Sequence, residues 1–336
     1  MDITDFSDKQ MAGQRLMVGF EGTEMNAELK FLINALKVGG IILFSINLID
    51  PYQIKDLCFS MQSYARSCGQ PPLLIAIDQE GGQVARLKEP FTQFPGNPKM
   101  KGPEDAVFFA KTTAKELSEV GINMNMAPVL DVAPEDINSV MADRAFGPDS
   151  GWVSEQGKVV IEHLQAENIM AVAKHFPGIG RTVLDSHFEL PDLDIDVDAM
   201  QRFDLFPFKT AISHDVAGIM LSHIRYTGID PNWPASLSKT IADDLLRKKM
   251  GYDGVVMTDD LDMGAIEKHY DIKTAIQRIL SADIDMPLIC HAGPNIENAF
   301  KEILDVQRRS QTMKVKGMKS LERIIKLKSK YLLNVA

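Results

Sequence analysis

Eight short apolar runs, helical periodicity between them, and titratable residues gathered at the runs' carboxyl ends predict an α/β fold of the (β/α)8 TIM barrel type. The runs cover 15–20, 40–44, 73–78, 122–132, 169–175, 218–224, 254–261 and 283–290. Leu29, Leu32 and Leu36 show the helical spacing between the first two, and 106–120 shows it again after the third. No low-complexity or Pro/Ser-rich linker divides the 336 residues, so the chain is read as a single domain over 1–336 that ends in a helix.

Composition narrows the functional class. With 45% hydrophobic and 24% charged residues the chain is of the globular type. No run approaches the ~18 apolar residues of a membrane span. A net charge of -10 disfavours nonspecific nucleic-acid binding. The one basic stretch, 308–330, interleaves its lysines with Leu321, Ile324, Ile325 and Leu327, and is read as the solvated face of a terminal helix packed on the barrel. Cys58, Cys68 and Cys290 show no Cys-x-x-Cys spacing, which argues against a disulfide framework and a zinc site. The acidic, polar start MDITDFSDKQ lacks the form of a secretory leader, so the expected location is the cytoplasm.

Taken in order, the third run delivers Asp78, then Gly81-Gly82 and Arg86. This suits a grip on neutral hydroxyls, Asp78 accepting and Arg86 donating; the same pair would also serve as a salt bridge closing a loop. The fourth run carries Asp131, read as a buttress for the loop that follows it. The fifth ends in Lys174 and His175. Unaided, these read as a Schiff-base lysine and a satisfied buried histidine as readily as sugar contacts. The chain then breaks at Pro177, Gly178 and Gly180 and reaches Asp185-Ser186-His187. Residues two apart in an extended segment lie on one side, about 7 Å apart at Cα, so the carboxylate can hold one imidazole nitrogen and leave the other facing outward. That is the orienting half of an acid/base device, although Asp-x-His pairs also occur by chance. His223 ends the sixth run, placed equally well to touch a ligand or to support a residue that does. Ser238 reads as a helix cap. The seventh run ends in Thr258-Asp259-Asp260-Leu261-Asp262. Asp262 is the expected cap of a short helix, which leaves Asp259 at the barrel mouth; a cation site for the acidic cluster is the other reading.

The string Lys174-His175-Phe176-Pro177-Gly178-x-Gly180-x4-Asp185-Ser186-His187-x3-Pro191 resembles the signature loop of glycoside hydrolase family 3, in particular its single-domain β-N-acetylglucosaminidases. The segment from Asp78 to Arg86 and the stretch from Lys248 to Asp259 are similar to two further family patterns. The departures are Ile179, where His is usual, and Arg181, where Asp or a small residue is usual. The resemblance implies sugar-binding roles for Asp78, Arg86, Arg144, Lys174 and His175; His223 joins the candidate substrate contacts from its place at the strand end alone. The resemblance also implies a nucleophilic Asp259 and an acid/base His187 backed by Asp185. It further implies a terminal β-linked N-acetylglucosamine, from a muropeptide, as the substrate. No metal or organic cofactor is expected, and the protein is expected to be a monomer or weak homodimer. Three alternatives stay open: a family 3 β-glucosidase, a glycosyl phosphorylase, and a sugar-binding relative without turnover in which Arg181 draws Asp185 away from His187.

Overall fold

The computed structural model describes residues 3–333. Each of the eight runs contributes one barrel strand: β1 Met17–Val18, β2 Gly40–Leu43, β3 Leu74–Ile77, β4 Met124–Asn125, β5 Met170–Phe176, β6 Gly218–Leu221, β7 Val255–Asp260 and β8 Met286–Ile289. All neighbours are parallel and the barrel closes through β1, with Met17 facing Leu288 on one side and Gly40 on the other. The fourth run is paired over Met124–Asn125 alone. Pro128 cannot donate to a ladder, and the chain continues irregularly, touching β5 through a bridge from Val129 to Lys174.

Alternation along the strands separates two apolar layers. Ile42, Leu74, Met170, Val172, Met257 and Met286 point into the barrel, and Ile41, Ile75, Ala171, Ile219 and Val256 face the surrounding helices. Flexible methionines dominate the interior, where they fill the irregular taper of a small barrel. Most of the outer helices start at side-chain caps. Asp50 accepts from Tyr52 and Gln53 N–H ahead of Pro51–Ser67, and Asn26 accepts from Leu29 N–H ahead of Ala27–Asn34. Ser238 acts as expected, accepting from Ile241 N–H at 3.2 Å ahead of the π-type helix Thr240–Lys249.

The terminal basic stretch keeps its expected solvated face at Lys319, Lys326 and Lys330, while Arg323 and Lys328 turn inward. It forms the end of Pro294–Arg309 and the long helix Gln311–Leu332, and the second of these lies under the amino-terminal floor of the barrel. Ile324, Leu327 and Tyr331 join the barrel-interior cluster from below. Arg323 donates to Asp283 and Asp285, which precede β8. Lys328 is buried, its ammonium donating to Gln14 Oε1 at 2.7 Å and to the Gly39 carbonyl at 2.8 Å. Groups at the starts of parallel strands lack ladder partners, so a helix crossing the floor must bring donors to them.

Burial lowers the Lys328 pKa to about 7. An unfolded lysine holds its proton up to about 10.4, so the buried amine destabilises the fold below neutrality, and that penalty is relieved as pH rises from 7 towards 10. Lys328→Met is therefore expected to raise the free energy of unfolding, read from urea titration at pH 6–7, by on the order of 1–3 kcal/mol, after the two lost hydrogen bonds are set against it. The gain should shrink or reverse by pH 10; a pH-independent difference would contradict this account.

Candidate active site

The carboxyl ends of the strands form a cavity of about 370 Å³. Its walls include Asp78 after β3, Arg86, Arg144 after β4, Lys174 and His175 on β5, His187, and Asp259 on β7. These residues come from separate βα units, and the barrel rim brings them together.

Beyond β3 the chain folds into a small hairpin, Gln79–Gly81 against Val84–Ala85. The turn needs its glycines: Gly82 has φ +63°, and a Cβ there would lie 2.9 Å from Gly96 Cα. Gln79 Oε1 accepts from Arg86 and Leu87 N–H, and this returns Arg86 to the cavity. Asp78 then receives two cations, Lys174 Nζ at 2.7 Å on one oxygen and Arg86 Nη2 at 3.2 Å on the other. Burial pushes the Asp78 carboxyl up, but Lys174 and Arg86 outweigh it and hold the group well below the usual carboxylate range. Among the same charges Lys174, although buried, keeps a raised pKa, because Asp78 and Glu80 more than offset its desolvation. It is thus a paired ammonium, which argues against the Schiff-base reading.

The two histidines are oriented by carboxylates in the same way. His175 Nδ1 lies 2.7 Å from Asp131 Oδ2, while its Nε2 lies 3.5 Å from Arg144 Nη2. Asp131 also accepts from Ile179 N–H at 2.8 Å, so it buttresses the glycine loop after β5 rather than the loop after β4. His187 Nδ1 lies 2.7 Å from Asp185 Oδ1, and the His187 N–H donates to the same oxygen at 2.9 Å. Burial raises the Asp185 carboxyl, and the His187 contacts outweigh it, leaving an ionised acceptor. Nδ1 therefore carries the proton and Nε2 is the free nitrogen.

The loop bearing this pair is docked. Gly264 and Ala265 N–H donate to the His187 and Ser186 carbonyls at 3.0 and 3.2 Å, and Lys268 Nζ reaches the Phe188 carbonyl at 2.6 Å. A Cβ on Gly264 would lie 2.8 Å from both the His187 and the Phe188 carbonyl oxygens. Arg181 does not compete for Asp185: its Nε donates to Asp204 at 3.1 Å and its guanidinium lies over Phe203.

Asp259 is the penultimate residue of β7, with one oxygen accepting from Asp260 N–H at 2.9 Å. Burial raises its pKa, but His223, His175, the Asp260 N–H and Lys174 together hold it below the ordinary carboxylate value. It is an ionised carboxylate facing the cavity. Asp260 behaves oppositely, its pKa raised to about 6 by burial and by Asp262 and Asp259.

Two assignments change. His223 is fully buried and does not reach the cavity; its Nδ1 meets Ser236 Oγ and its Nε2 meets the Asp260 carbonyl, each at 2.7 Å. The ring is spent on protein partners beneath Asp259, so it supports β7 and is not a ligand contact. Asp262 does not cap Gly264–Glu267, whose cap position is Met263; it accepts instead from His291 N–H and Asn295 Nδ2. Among the described residues, Asp260, Asp262 and His291 have ligand atoms within 4.8 Å of one another and are the group placed to hold a cation. Glu80, buried behind the cavity and bound to Arg144 and Lys174, was not singled out from the sequence. Its signal was its spacing, two residues after Asp78 in extended chain.

A parallel barrel with ionised and oriented groups at its carboxyl rim belongs to the large class of barrel proteins with rim-built sites. Residues 8–327 match the glycosyl hydrolase family 3 N-terminal domain. The chain is 35% identical to β-hexosaminidase A of Pseudoalteromonas piscicida over 96% of its own length, and spans 61% of the length of that relative. It is 31% identical to a β-hexosaminidase of Pseudomonas aeruginosa, covering 90% of each chain. Among solved structures, a glycoside hydrolase family 3 β-N-acetylglucosaminidase from Paenibacillus superposes with a TM-score of 0.94 at 35% identity, covering 98% of this chain and 64% of that one. A β-N-acetylhexosaminidase from Beutenbergia cavernae superposes with a TM-score of 0.90 at 26% identity, over 97% and 99% of the two chains. The chain belongs to glycosyl hydrolase family 3.

The docked loop makes one checkable claim. In Gly264→Ala the new methyl must push the His187–Phe188 backbone away, freeing the segment around Arg181. Tryptic cleavage after Arg181, read by mass spectrometry, is expected to accelerate about tenfold or more over wild type, as local opening dominates protection. Equal cleavage rates would mean that these backbone contacts do not hold the loop.

Proposed function

We propose that the protein is a retaining, exo-acting β-N-acetylglucosaminidase that removes terminal β-linked N-acetylglucosamine from small saccharides, with muropeptide fragments in the cytoplasm as the setting the family resemblance implies. The observation that carries this reading is the meeting of an ionised Asp259 and the outward nitrogen of His187 in one cavity with the Asp78, Arg86 and Lys174 cluster. The names of the relatives support the choice of sugar.

In this reading Asp78, Arg86, Arg144, Lys174 and His175 hold the sugar hydroxyls. Asp259 attacks the anomeric carbon while His187, protonated on Nε2, gives its proton to the departing oxygen. The glycosyl ester on Asp259 is then broken by water from which His187 takes a proton, so the configuration is retained. A lone carboxylate suffices because imidazole titrates near neutrality and serves as acid in one step and base in the next. Arg181, held by Asp204, leaves Asp185 to His187, which favours turnover over a binding-only role. His187 and Asp185 are side chains of the barrel itself, and we infer that this one domain completes the site.

Release of p-nitrophenol from its β-N-acetylglucosaminide and its β-glucoside tests the assignment. The wild type is expected to turn over the first substrate. Asp259→Asn should lose nearly all of kcat, and His187→Ala about 10²-fold. Turnover of the glucoside alone would shift the reading to a β-glucosidase. Acceleration by millimolar phosphate would shift it to a phosphorylase, since a neutral base repels an anionic acceptor less than a carboxylate does. Sugar binding with no turnover of either would leave a binding protein.

Binding and chemistry also separate by pH. Because Asp259 stays ionised below the ordinary carboxylate range, any limb of kcat assigned to Asp259 should lie below about pH 4. An acid limb centred well above pH 5 that disappears in Asp260→Asn would instead place the controlling proton on Asp260, whose pKa is about 6.

A further inference from the structure

We propose that Glu80 is a positioning residue for sugar binding: a carboxylate sealed behind the cavity that neutralises Arg144 and Lys174, so that Asp78 keeps its outward lone pairs for the substrate. The inference rests on the sugar-site reading above and adds to it a residue that never touches sugar.

The case is one of charge and geometry. Three cations, Arg86, Arg144 and Lys174, meet two carboxylates, Asp78 and Glu80. The two carboxylates are not equivalent. Asp78 forms part of the cavity wall and its side chain is 15% exposed, whereas Glu80 is 1% exposed and no part of the wall. Arg144 grips Glu80 with both prongs of its fork, Nε to Oε2 at 3.0 Å and Nη2 to Oε1 at 2.7 Å. Lys174 divides itself evenly, 2.7 Å from Asp78 Oδ1 and 2.7 Å from Glu80 Oε1. Take the Glu80 charge away and Arg144 loses its only bidentate partner. Lys174 must then lean wholly on Asp78, drawing that carboxylate inward and away from a hydroxyl. An uncompensated buried cation is costly, so the cluster has to rearrange. Asp131 cannot substitute, because its oxygens already accept from His175 and from Ile179 N–H.

Asp259 and His187 lie outside this cluster, which sets the signature to look for. Contacts to remote hydroxyls act on the bound sugar and on the transition state alike, so their loss raises KM more than it lowers kcat. In Glu80→Gln, KM for the p-nitrophenyl N-acetylglucosaminide is expected to rise tenfold or more while kcat falls no more than about threefold. The inhibition constant of free N-acetylglucosamine should weaken by a factor similar to the KM change. Glu80→Asp keeps the charge but is one methylene too short to reach both cations, and should fall between the two. If Glu80→Gln is not recovered folded, Glu80→Asp carries the test, with at least a threefold rise in KM expected.

An unchanged KM in either folded variant, or a loss confined to kcat, overturns the proposal. Should the wild type bind N-acetylglucosamine by calorimetry without turning over substrate, the enzymatic reading fails but this one is still decided: equal affinities for wild type and Glu80→Gln would overturn it. A wild type that neither binds nor cleaves the sugar overturns both.

Discussion

A parallel barrel is held shut at its weakest seam, and here that seam is two residues long. Met17 and Val18 pair with β8 on one side and β2 on the other, and Gly19 N–H carries the β8 seam one bond further to the Ile289 carbonyl. Everything at the rim depends on this closure, because Asp78, Lys174, Asp259 and Cys290 point at a common centre only if the strands beneath them complete the ring. The floor reinforces the seam. Arg15, just before β1, donates to the carbonyls of Ile284 and Asp285 just before β8, and the terminal helix ties Gln14 and Gly39 together through Lys328. A buried arginine and a buried lysine are poor economy for stability alone. Their place at the seam explains them, since they satisfy backbone oxygens that an apolar residue would leave bare.

Both ends of the barrel thus carry buried charge, put to opposite uses. At the floor, Asp285 is closed in by Arg247, Arg323 and Ser320, and no acceptor is left facing water. At the rim, carboxylates hold the groups around the cavity: Glu80 shares Lys174 with Asp78, Asp131 meets His175, and Asp185 meets His187. Glu80 and Asp131 act from buried positions and Asp185 from an exposed loop, and in both histidine pairs the carboxylate fixes which ring nitrogen is left free.

The fold was legible because a parallel barrel buries both faces of its strands, so every strand reads as an apolar run whatever its partner. The paired region within a run was not, since Pro128 and the irregular chain after Asn125 break the ladder without breaking the hydrophobicity. At the site, pairs close in sequence could be read from spacing alone. Asp185 and His187 are two residues apart, although a turn after Asp185 and not the expected extended chain brings them together, and Asp78 and Arg86 are eight apart. Contacts that join distant elements left no such trace. Lys328 and Gln14 are 314 positions apart, Arg144 and Glu80 are 64, and which of two carboxylates a cation chooses is settled by packing. The part His223 plays was not legible because position at a strand end does not say which way the ring turns; Ser236 and the Asp260 carbonyl claim both nitrogens.

The loop that carries His187 is moored mainly by main-chain carbonyls, and its Val183, Leu184 and Phe188 side chains stand in solvent. Backbone anchorage is indifferent to the identity of the residues it holds. Mutational drift can therefore rewrite the outward surface of this loop while the imidazole stays where the proposed mechanism uses it. In the proposed mechanism such a loop separates what can be varied from what must be kept, and gives the scaffold room to change its leaving-group preference while His187 stays in place.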